Sequence, residues 1–161
     1  MSYNTRVLRC APSDVFRVLG DGWLYPGWVV GASRMRAVDS AWPRPGASLH
    51  HSFGVWPALL NDTTLSVEWA PPTRMVVIAK GWPAGEARVT IEVRGHPEGC
   101  LVGLEEHPVK GPGVLMPQPL GDLLLFWRNS ETLRRLSFLA TGIGERSTRD
   151  ESAPAPATSR R

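Results

Sequence analysis

The sequence predicts an α+β fold in which one antiparallel sheet packs against a long C-terminal helix. Between residues 47 and 106, apolar side chains recur at every second position, which is the period of a half-buried β-strand. The segment 120–140 is rich in leucine and arginine and has no glycine or proline after Gly121, which is typical of a long helix. Helices that are segregated from antiparallel strands in this way define the α+β class.

The chain begins with a predicted strand and a predicted helix. The letters TRVLRC predict a short strand, and APSDVFRVLGDG predicts a helix because Pro12, Ser13 and Asp14 are residue types that begin helices. Glycines end this helix. Residues 21–31, DGWLYPGWVVG, are too interrupted by glycine and proline for a long helix and predict a second short helix or turn. The letters GASRMRAVD then predict another strand.

Strands of period two fill the middle of the chain, and one face of each is predicted to be buried. On the first two strands this face holds Leu49, His51, Phe53 and Val55, then Leu59, Asn61, Thr63, Leu65, Val67 and Trp69. After Pro71 and Pro72, RMVVIAKGW predicts a further strand. On the last two strands the buried face holds Ala87, Val89, Ile91 and Val93, then Cys100, Val102, Leu104 and Glu106. The sheet is therefore predicted to have six or seven strands.

The final helix carries apolar residues on two sides. One side holds Phe126, Leu133, Leu136 and Ala140 together with Asn129, and the other holds Leu120, Leu123, Leu124 and Trp127. Such a helix is expected to be covered on more than one face. We expect Leu133, Leu136 and Ala140 to pack against Val89, Ile91, Val102 and Leu104. Arg128, Arg134 and Arg135 are expected on the exposed side, with Glu131 one turn from the last two.

Composition divides the chain into a domain and a tail. Residues 145–161, ERSTRDESAPAPATSRR, are polar, rich in proline, alanine and serine, and without apolar periodicity. Such a segment can bury too little apolar surface to offset the conformational entropy that is lost on folding, so we expect a disordered tail. Residues 1–144 show no internal repeat or linker and are expected to form one domain.

Several classes of function are disfavoured by the sequence. The net charge of +3 gives no strong basic field for nucleic acid, and no apolar run approaches the roughly 20 residues that cross a bilayer. The N-terminus lacks the apolar stretch of a secretory signal, so a cytoplasmic protein is expected. Cys10 and Cys100 form no metal or redox motif, and neither a metal nor a cofactor is predicted.

Five phrases, APSDVFRVLGD, YPGWVVG, LSVEWAPPTRMVV, ARVTIEV and NSETLRRL, together with the element order, resemble the START-like (SRPBCC) superfamily and its polyketide cyclase/dehydrase-like branch. The resemblance covers residues 5–140. It implies a helix-grip fold, in which a curved antiparallel sheet wraps around the long C-terminal helix and two short helices close one end. It also implies an elongated apolar cavity between sheet and helix.

The resemblance places residues 21–31 at the closed end, where Trp23, Tyr25 and Trp28 would cap the core and shape the cavity entrance. Polar residues on the predicted inner faces are the other candidates for the site, because an unpaired polar group in an apolar cavity costs about 1–3 kcal/mol. The full set of predicted ligand-binding residues is Trp23, Tyr25, Trp28, His51, Phe53, Asn61, Thr63, Glu106, Phe126, Asn129 and Leu133.

His51 and Glu106 are the candidates for acid/base chemistry. Imidazole titrates near neutrality, and desolvation raises the pKa of a carboxyl group in an apolar pocket. The alternative is that both are buried and satisfied for structural reasons, or lie in water at the cavity rim.

Three functions follow from these observations. The first is binding of a hydrophobic small molecule, such as a polyketide, a lipid or an aromatic metabolite, by a monomer or homodimer. The second is a cyclase, dehydratase or aromatase that uses the polar cavity residues. The third is a non-enzymatic interaction or stress-response module, which an exposed patch of tryptophans would favour.

Overall fold

The computed structural model describes residues 2–55, 58–81, 85–111 and 118–152, and it has the predicted α+β architecture. Seven strands form one antiparallel sheet: β1 (Ser2–Leu8), β2 (Ala32–Val38), β3 (Ser48–Val55), β4 (Ala58–Ala70), β5 (Arg74–Gly81), β6 (Gly85–His96) and β7 (Gly99–Lys110). Their order in the sheet is β1-β7-β6-β5-β4-β3-β2. The helices are α1 (Pro12–Gly20), α2 (Tyr25–Trp28) and α3 (Gln118–Ser152), with a 3-10 turn at Gly22–Leu24 before α2.

The two short helices begin where the sequence predicts. Pro12 occupies the first turn of α1, and the Asp14 carboxylate accepts a hydrogen bond from the Ala11 backbone N–H at 3.1 Å. The Asp21 side chain then accepts from the Trp23 backbone N–H at 3.0 Å and starts the 3-10 turn. These side-chain bonds satisfy backbone donors that have no partner inside a helix. Residues 21–31 therefore form a short helical closure beside the sheet.

The core lies between the inner face of the sheet and α3. Leu133, Leu136 and Ala140 are each at most 1% exposed, and they belong to the same buried cluster as the inner-face residues Val89, Ile91, Val102 and Leu104. Arg88 on the opposite face of β6 is exposed. The predicted inner faces of β6 and β7 are therefore confirmed, and so is the predicted inner side of α3 at Leu133, Leu136 and Ala140.

The predicted inner face of β4 is wrong by one residue over its first half. Thr64 is fully buried and pairs with Leu49 of β3 and Ala79 of β5, whereas Leu65 is 36% exposed. A bulge between Ser66 and Glu68 in the pairing with β5 changes the phase. Trp69 consequently returns to the inner side, with its ring centroid 5.1 Å from that of Phe16.

The last helix differs from its sequence prediction at both ends. It continues to Ser152, so residues 145–152 are helical where the composition predicts a disordered tail, and Arg17 of α1 hydrogen-bonds to Ser147. The predicted tail residues 153–161 lie outside the described part of the chain. At the other end, Leu123, Leu124 and Trp127 are 66%, 59% and 66% exposed, although a cover was expected over this side. None of the described helices is long and apolar enough to cross a membrane.

Candidate functional site

A narrow cavity lies between α2, the inner face of β5–β7 and α3. Its volume is about 30 Å³. Its apolar walls come mainly from Val77, Ala79, Val89 and Leu104, and its polar end comes from Glu106, Arg128, Asn129 and Thr132, while Tyr25 and Trp28 close it on the α2 side. The cavity therefore lies between sheet and helix, where the helix-grip resemblance implies one.

An ion pair forms the polar end. Glu106 points inward from β7, and its Oε1 lies 3.4 Å from Nη2 of Arg128 on α3. The Glu106 side chain is 5% exposed and the Arg128 side chain 29%, so the carboxylate is on the buried side of the pair. Asn129 follows directly on the helix and is 1% exposed. Strand and helix thus bring one carboxylate, one guanidinium and one amide to the same end of the cavity.

Four buried polar atoms at this cavity have no hydrogen-bond partner among the described residues. They are Glu106 Oε2, Arg128 Nε, Asn129 Nδ2 and Trp28 Nε1. A buried polar group without a partner costs about 1–3 kcal/mol, so a native structure normally supplies a water or a ligand. A cavity of this size accommodates about one water molecule. The three nitrogens can donate to an oxygen atom, and the carboxylate oxygen can accept from a hydroxyl.

A second buried polar group adjoins the cavity through Tyr25. The Tyr25 hydroxyl lies 2.9 Å from Thr64 Oγ1, and His51 Nε2 lies 3.0 Å from the same oxygen. The Tyr25 ring also contacts His51 at 5.0 Å and Trp28 at 5.3 Å between ring centroids. Burial raises the pKa of Tyr25, although the Thr64 hydrogen bond opposes that shift. The hydroxyl is therefore protonated and connects the cavity wall to His51.

Burial also lowers the pKa of His51 below its ordinary value of 6.5, and the charge of Asp62 opposes this shift. The neutral imidazole is thus the form that the fold favours.

We expect the contribution of neutral His51 to stability to be fully present above pH 6.5 and to be lost as the pH falls through the lower pKa of the folded protein. NMR titration of the His51 ring checks the direction of the shift. A titration midpoint at or above 6.5 would contradict it, and urea unfolding of the wild type and His51→Gln at acidic and neutral pH measures the linked stability.

Six of the predicted site residues are buried on the inner side of the molecule: Tyr25, Trp28, His51, Glu106, Asn129 and Leu133. Phe53 is half-buried on β3, where its ring packs against Gly31. His51 bonds to Thr64, whereas Glu106 pairs with Arg128, and the described contacts include no hydrogen bond or ion pair between the two candidates. A direct His51–Glu106 pair is therefore not formed, and an acid/base role for either residue remains a prediction.

Four predicted site residues lie away from the cavity. Asn61 is exposed and Thr63 is half-exposed on the outer face of β4, because the phase of that strand is shifted. Phe126 is 55% exposed on α3. Trp23 is 61% exposed and lines an open surface groove of about 540 Å³ with Asp21, Asp39 and Trp42. The rings of residues 21–31 thus divide into two that wall the cavity and one that faces solvent.

Sequence reasoning missed Arg128, Thr64 and Thr132. Arg128 was expected on the solvated side of the last helix, but it lies one turn before the buried Thr132 and reaches Glu106. Counting the helical phase from Asn129 could have placed Arg128 beside the buried stripe. The other expected contacts of that helix are confirmed: Glu131 bonds to Arg134 at 2.7 Å and to Arg135 at 2.9 Å. Within the described ranges, no group of three potential ligands could hold a metal ion.

Comparisons with known proteins identify the fold. No protein-family model and no curated protein matches the sequence. Among solved structures, protein NE0264 from Nitrosomonas europaea has a TM-score of 0.68 at 19% identity, over 90% of this chain and 95% of its own. At 19% identity this likeness shows a shared fold, so the predicted fold is confirmed, and the predicted polyketide cyclase-like branch stays a prediction.

Two further similar structures come from biosynthetic systems. The di-domain ARO/CYC StfQ from the steffimycin biosynthetic pathway has a TM-score of 0.64 at 14% identity, over 91% of this chain and 50% of its own. DynU16, from the dynemicin biosynthetic locus, has a TM-score of 0.64 at 19% identity, over 88% of this chain and 47% of its own. The chain thus spans about half the length of each of these two proteins.

Proposed function

We propose that the protein binds a hydrophobic small molecule between the sheet and α3, with an oxygen-bearing group of the ligand at the polar end. The observation that carries this proposal is the set of four unpartnered polar atoms on residues that line an apolar-walled cavity, three of them at its polar end and one on Trp28 at the α2 side. Apolar walls with a few convergent polar groups are typical of small-molecule sites. A polyketide, a lipid or an aromatic metabolite has this combination of apolar body and oxygen substituent, and the biosynthetic context of StfQ and DynU16 favours the first.

Binding requires the cavity walls to separate. Pockets for drug-sized ligands measure roughly 300–1,000 Å³, whereas this cavity measures about 30 Å³. The moving wall is α2 or α3, because the strands are fixed by their ladder of hydrogen bonds while the helices contact the sheet through side chains. We therefore expect the ligand to widen the space between Trp28 and the β5–β7 surface.

Native mass spectrometry of the freshly purified protein tests the proposal. The expected result is a bound small molecule that is released by denaturation and extracted into organic solvent. Asn129→Leu should weaken ligand binding at least about fivefold, because one hydrogen bond to the ligand is worth about 1 kcal/mol and its loss leaves a ligand oxygen unpaired. Asn61→Leu is the matched control, since Asn61 is exposed on the outer face of β4.

The same variants can be titrated with 1-anilinonaphthalene-8-sulfonate as a defined apolar probe, with the intrinsic tryptophan fluorescence of the protein as a second signal. Glu106→Gln and His51→Ala should weaken or alter binding of this probe without unfolding the protein. If the wild type carries no small molecule and shows no saturable probe binding, the cavity is a packing defect and not a ligand site.

An enzyme of the cyclase, dehydratase or aromatase type is the second candidate function. The observation that favours it is the Tyr25–Thr64–His51 chain, which joins the cavity wall to a titratable imidazole. In such an enzyme, Tyr25 would take a proton from the bound substrate as it passes its own proton to Thr64, and Thr64 would pass its proton to the neutral His51, which ends as the imidazolium. The discriminating result is a Tyr25→Phe variant that binds the ligand as the wild type does but has lost turnover.

A further inference from the structure

An unusual stripe of side chains runs along the outer side of α3. It consists of Leu123, Trp127, Glu131, Arg134 and Phe138, spaced four, four, three and four residues apart. At about 100° per residue, the five side chains fall within about 80° of one another. Leu133, Leu136 and Ala140 occupy the opposite, buried side of the helix. We call this set the outer stripe.

The apolar members of the outer stripe are strongly exposed. Leu123 and Trp127 are each 66% exposed and Phe138 is 67% exposed, while Leu124 beside them is 59% exposed. A helix of a single soluble domain normally places charged or polar residues on its solvent side. Scattered single apolar residues need no explanation, but Leu123, Leu124 and Trp127 lie within about one turn of each other, and a contiguous apolar patch marks an interaction surface.

The order of residues in the outer stripe is self-complementary. A point on the helix midway between Glu131 and Arg134 is also midway between Trp127 and Phe138. If two copies of α3 pack antiparallel about a two-fold axis through this point, Trp127 faces the partner's Phe138 and Glu131 faces the partner's Arg134. Leu123 then faces the partner's Gly142, where a Cβ atom would meet nothing within 4 Å. Rings meet rings, and opposite charges meet each other.

We propose that the outer stripe is a homodimerisation surface on which a second copy of this chain docks through antiparallel α3 helices. A two-fold axis requires a patch that is complementary to itself, which the sequence ring–acid–base–ring supplies. Glu131 and Arg134 already form a hydrogen-bonded pair at 2.7 Å, and the Arg134 guanidinium lies 5.5 Å from the Phe138 ring centroid. Glu131 and Arg134 are therefore already held side by side within one chain, and in the dimer each can pair with the opposite charge of the second copy.

The exposed apolar area on this side of α3 is large enough for an interface with a second copy of this chain. Aromatic side chains bury about 150–250 Å² each, so at their exposed fractions the two rings Trp127 and Phe138 offer roughly 200–330 Å² of surface. A standard interface buries about 800 Å² per partner, of which a little over half is apolar. With the two leucines, the patch supplies the apolar part of such an interface. A lipid surface would instead place Glu131 and Arg134 against acyl chains between the two rings.

Sedimentation velocity over a range of protein concentrations tests the proposal. The wild type is expected to be a reversible dimer, and Trp127→Glu and Phe138→Glu, each alone, should weaken the dimer about 30-fold or more, as truncation of central aromatic residues does at other interfaces. Trp23→Glu is the matched control because it removes an equally exposed tryptophan from another element. A wild type that is monomeric at every concentration, or a Trp127→Glu variant that dimerises as the wild type does, overturns the proposal.

Charge reversal tests the antiparallel register separately. Glu131→Arg and Arg134→Glu should each weaken self-association, because each places like charges opposite each other on both sides of the axis. A mixture of the two variants should recover dimers, since both contacts then join opposite charges. Failure of the mixture to recover association overturns the register. A monomeric wild type that co-sediments with phosphatidylcholine–phosphatidylserine vesicles, and a Trp127→Glu variant that does not, would overturn the dimer proposal. The outer stripe would then be a membrane-binding surface.

Discussion

Leu136→Ala is expected to lower the free energy of unfolding by about 2–5 kcal/mol. Leu136 is fully buried on the face of α3 that packs against the sheet, so truncation removes apolar contacts and leaves a void that its neighbours fill only in part. Chemical denaturation monitored by circular dichroism measures the change. The result bears on the fold as a whole, because this residue holds α3 against the sheet.

Phe138→Ala is the matched comparison for this truncation. Phe138 lies two residues further along the same helix but is 67% exposed, so a larger side chain is removed from a site where little surface is buried within one chain. At a protein concentration at which the chain is monomeric, the change should be within about 0.5 kcal/mol. Equal effects of the two substitutions would mean that the assigned inner face of α3 is incorrect.

The sequence was sufficient for the parts of the fold in which periodicity and burial agree. Val89 and Ile91 alternate with polar residues on β6, and Val102 and Leu104 recur at every second position of β7, so the inner faces of both strands follow from period two. Leu136 follows in the same way from the helical period. In these elements the hydrophobic effect alone selects which side chains point inward.

The first half of β4 shows where that reasoning fails. Its inner face carries Asp62, Thr64 and Ser66, while Leu65 on the outer face is partly exposed. The two inner hydroxyl groups have hydrogen-bond partners elsewhere in the chain: Thr64 contacts Tyr25 and His51, and Ser66 donates to the Pro43 carbonyl at 2.8 Å. The Asp62 carboxylate accepts only from the adjacent Thr63 N–H, and its Oδ2 has no partner among the described residues. Hydrogen bonds to distant residues offset the burial of these hydroxyl groups, and no local pattern reveals such partners.

The candidate site was predictable to a similar extent. His51, Glu106 and Asn129 interrupt apolar rows, and that signal was enough to place them inside. Arg128 was not recognised because a charged residue beside other arginines on a helix is usually solvated. Its role depends on the approach of α3 to the end of β7, which brings its guanidinium to Glu106. Packing of two elements from distant parts of the chain creates this contact, so sequence spacing alone does not show it.

The ion pair at the polar end leads to the second large expected effect. Arg128→Met removes the cation but keeps most of the length of the side chain, and it leaves the nearly buried Glu106 carboxylate without its partner. Isolating one charge of a buried pair costs about 3–5 kcal/mol. Because 29% of the Arg128 side chain is exposed, we expect a loss in unfolding free energy near the lower limit, about 3 kcal/mol.

A double-mutant cycle separates this charge effect from simple loss of packing. Glu106→Gln should cost only about 1 kcal/mol, since the remaining guanidinium reaches water, and Arg128→Met combined with Glu106→Gln should be more stable than Arg128→Met alone. Arg88→Met on the outer face of β6 serves as the control for removal of an exposed arginine. Urea unfolding of the four proteins gives the coupling energy from the measured differences. If Glu106→Gln lowers the stability of Arg128→Met by as much as it lowers that of the wild type, the two residues are uncoupled. In that case water at the polar end solvates Glu106 well enough that the carboxylate needs neither Arg128 nor a ligand as its partner.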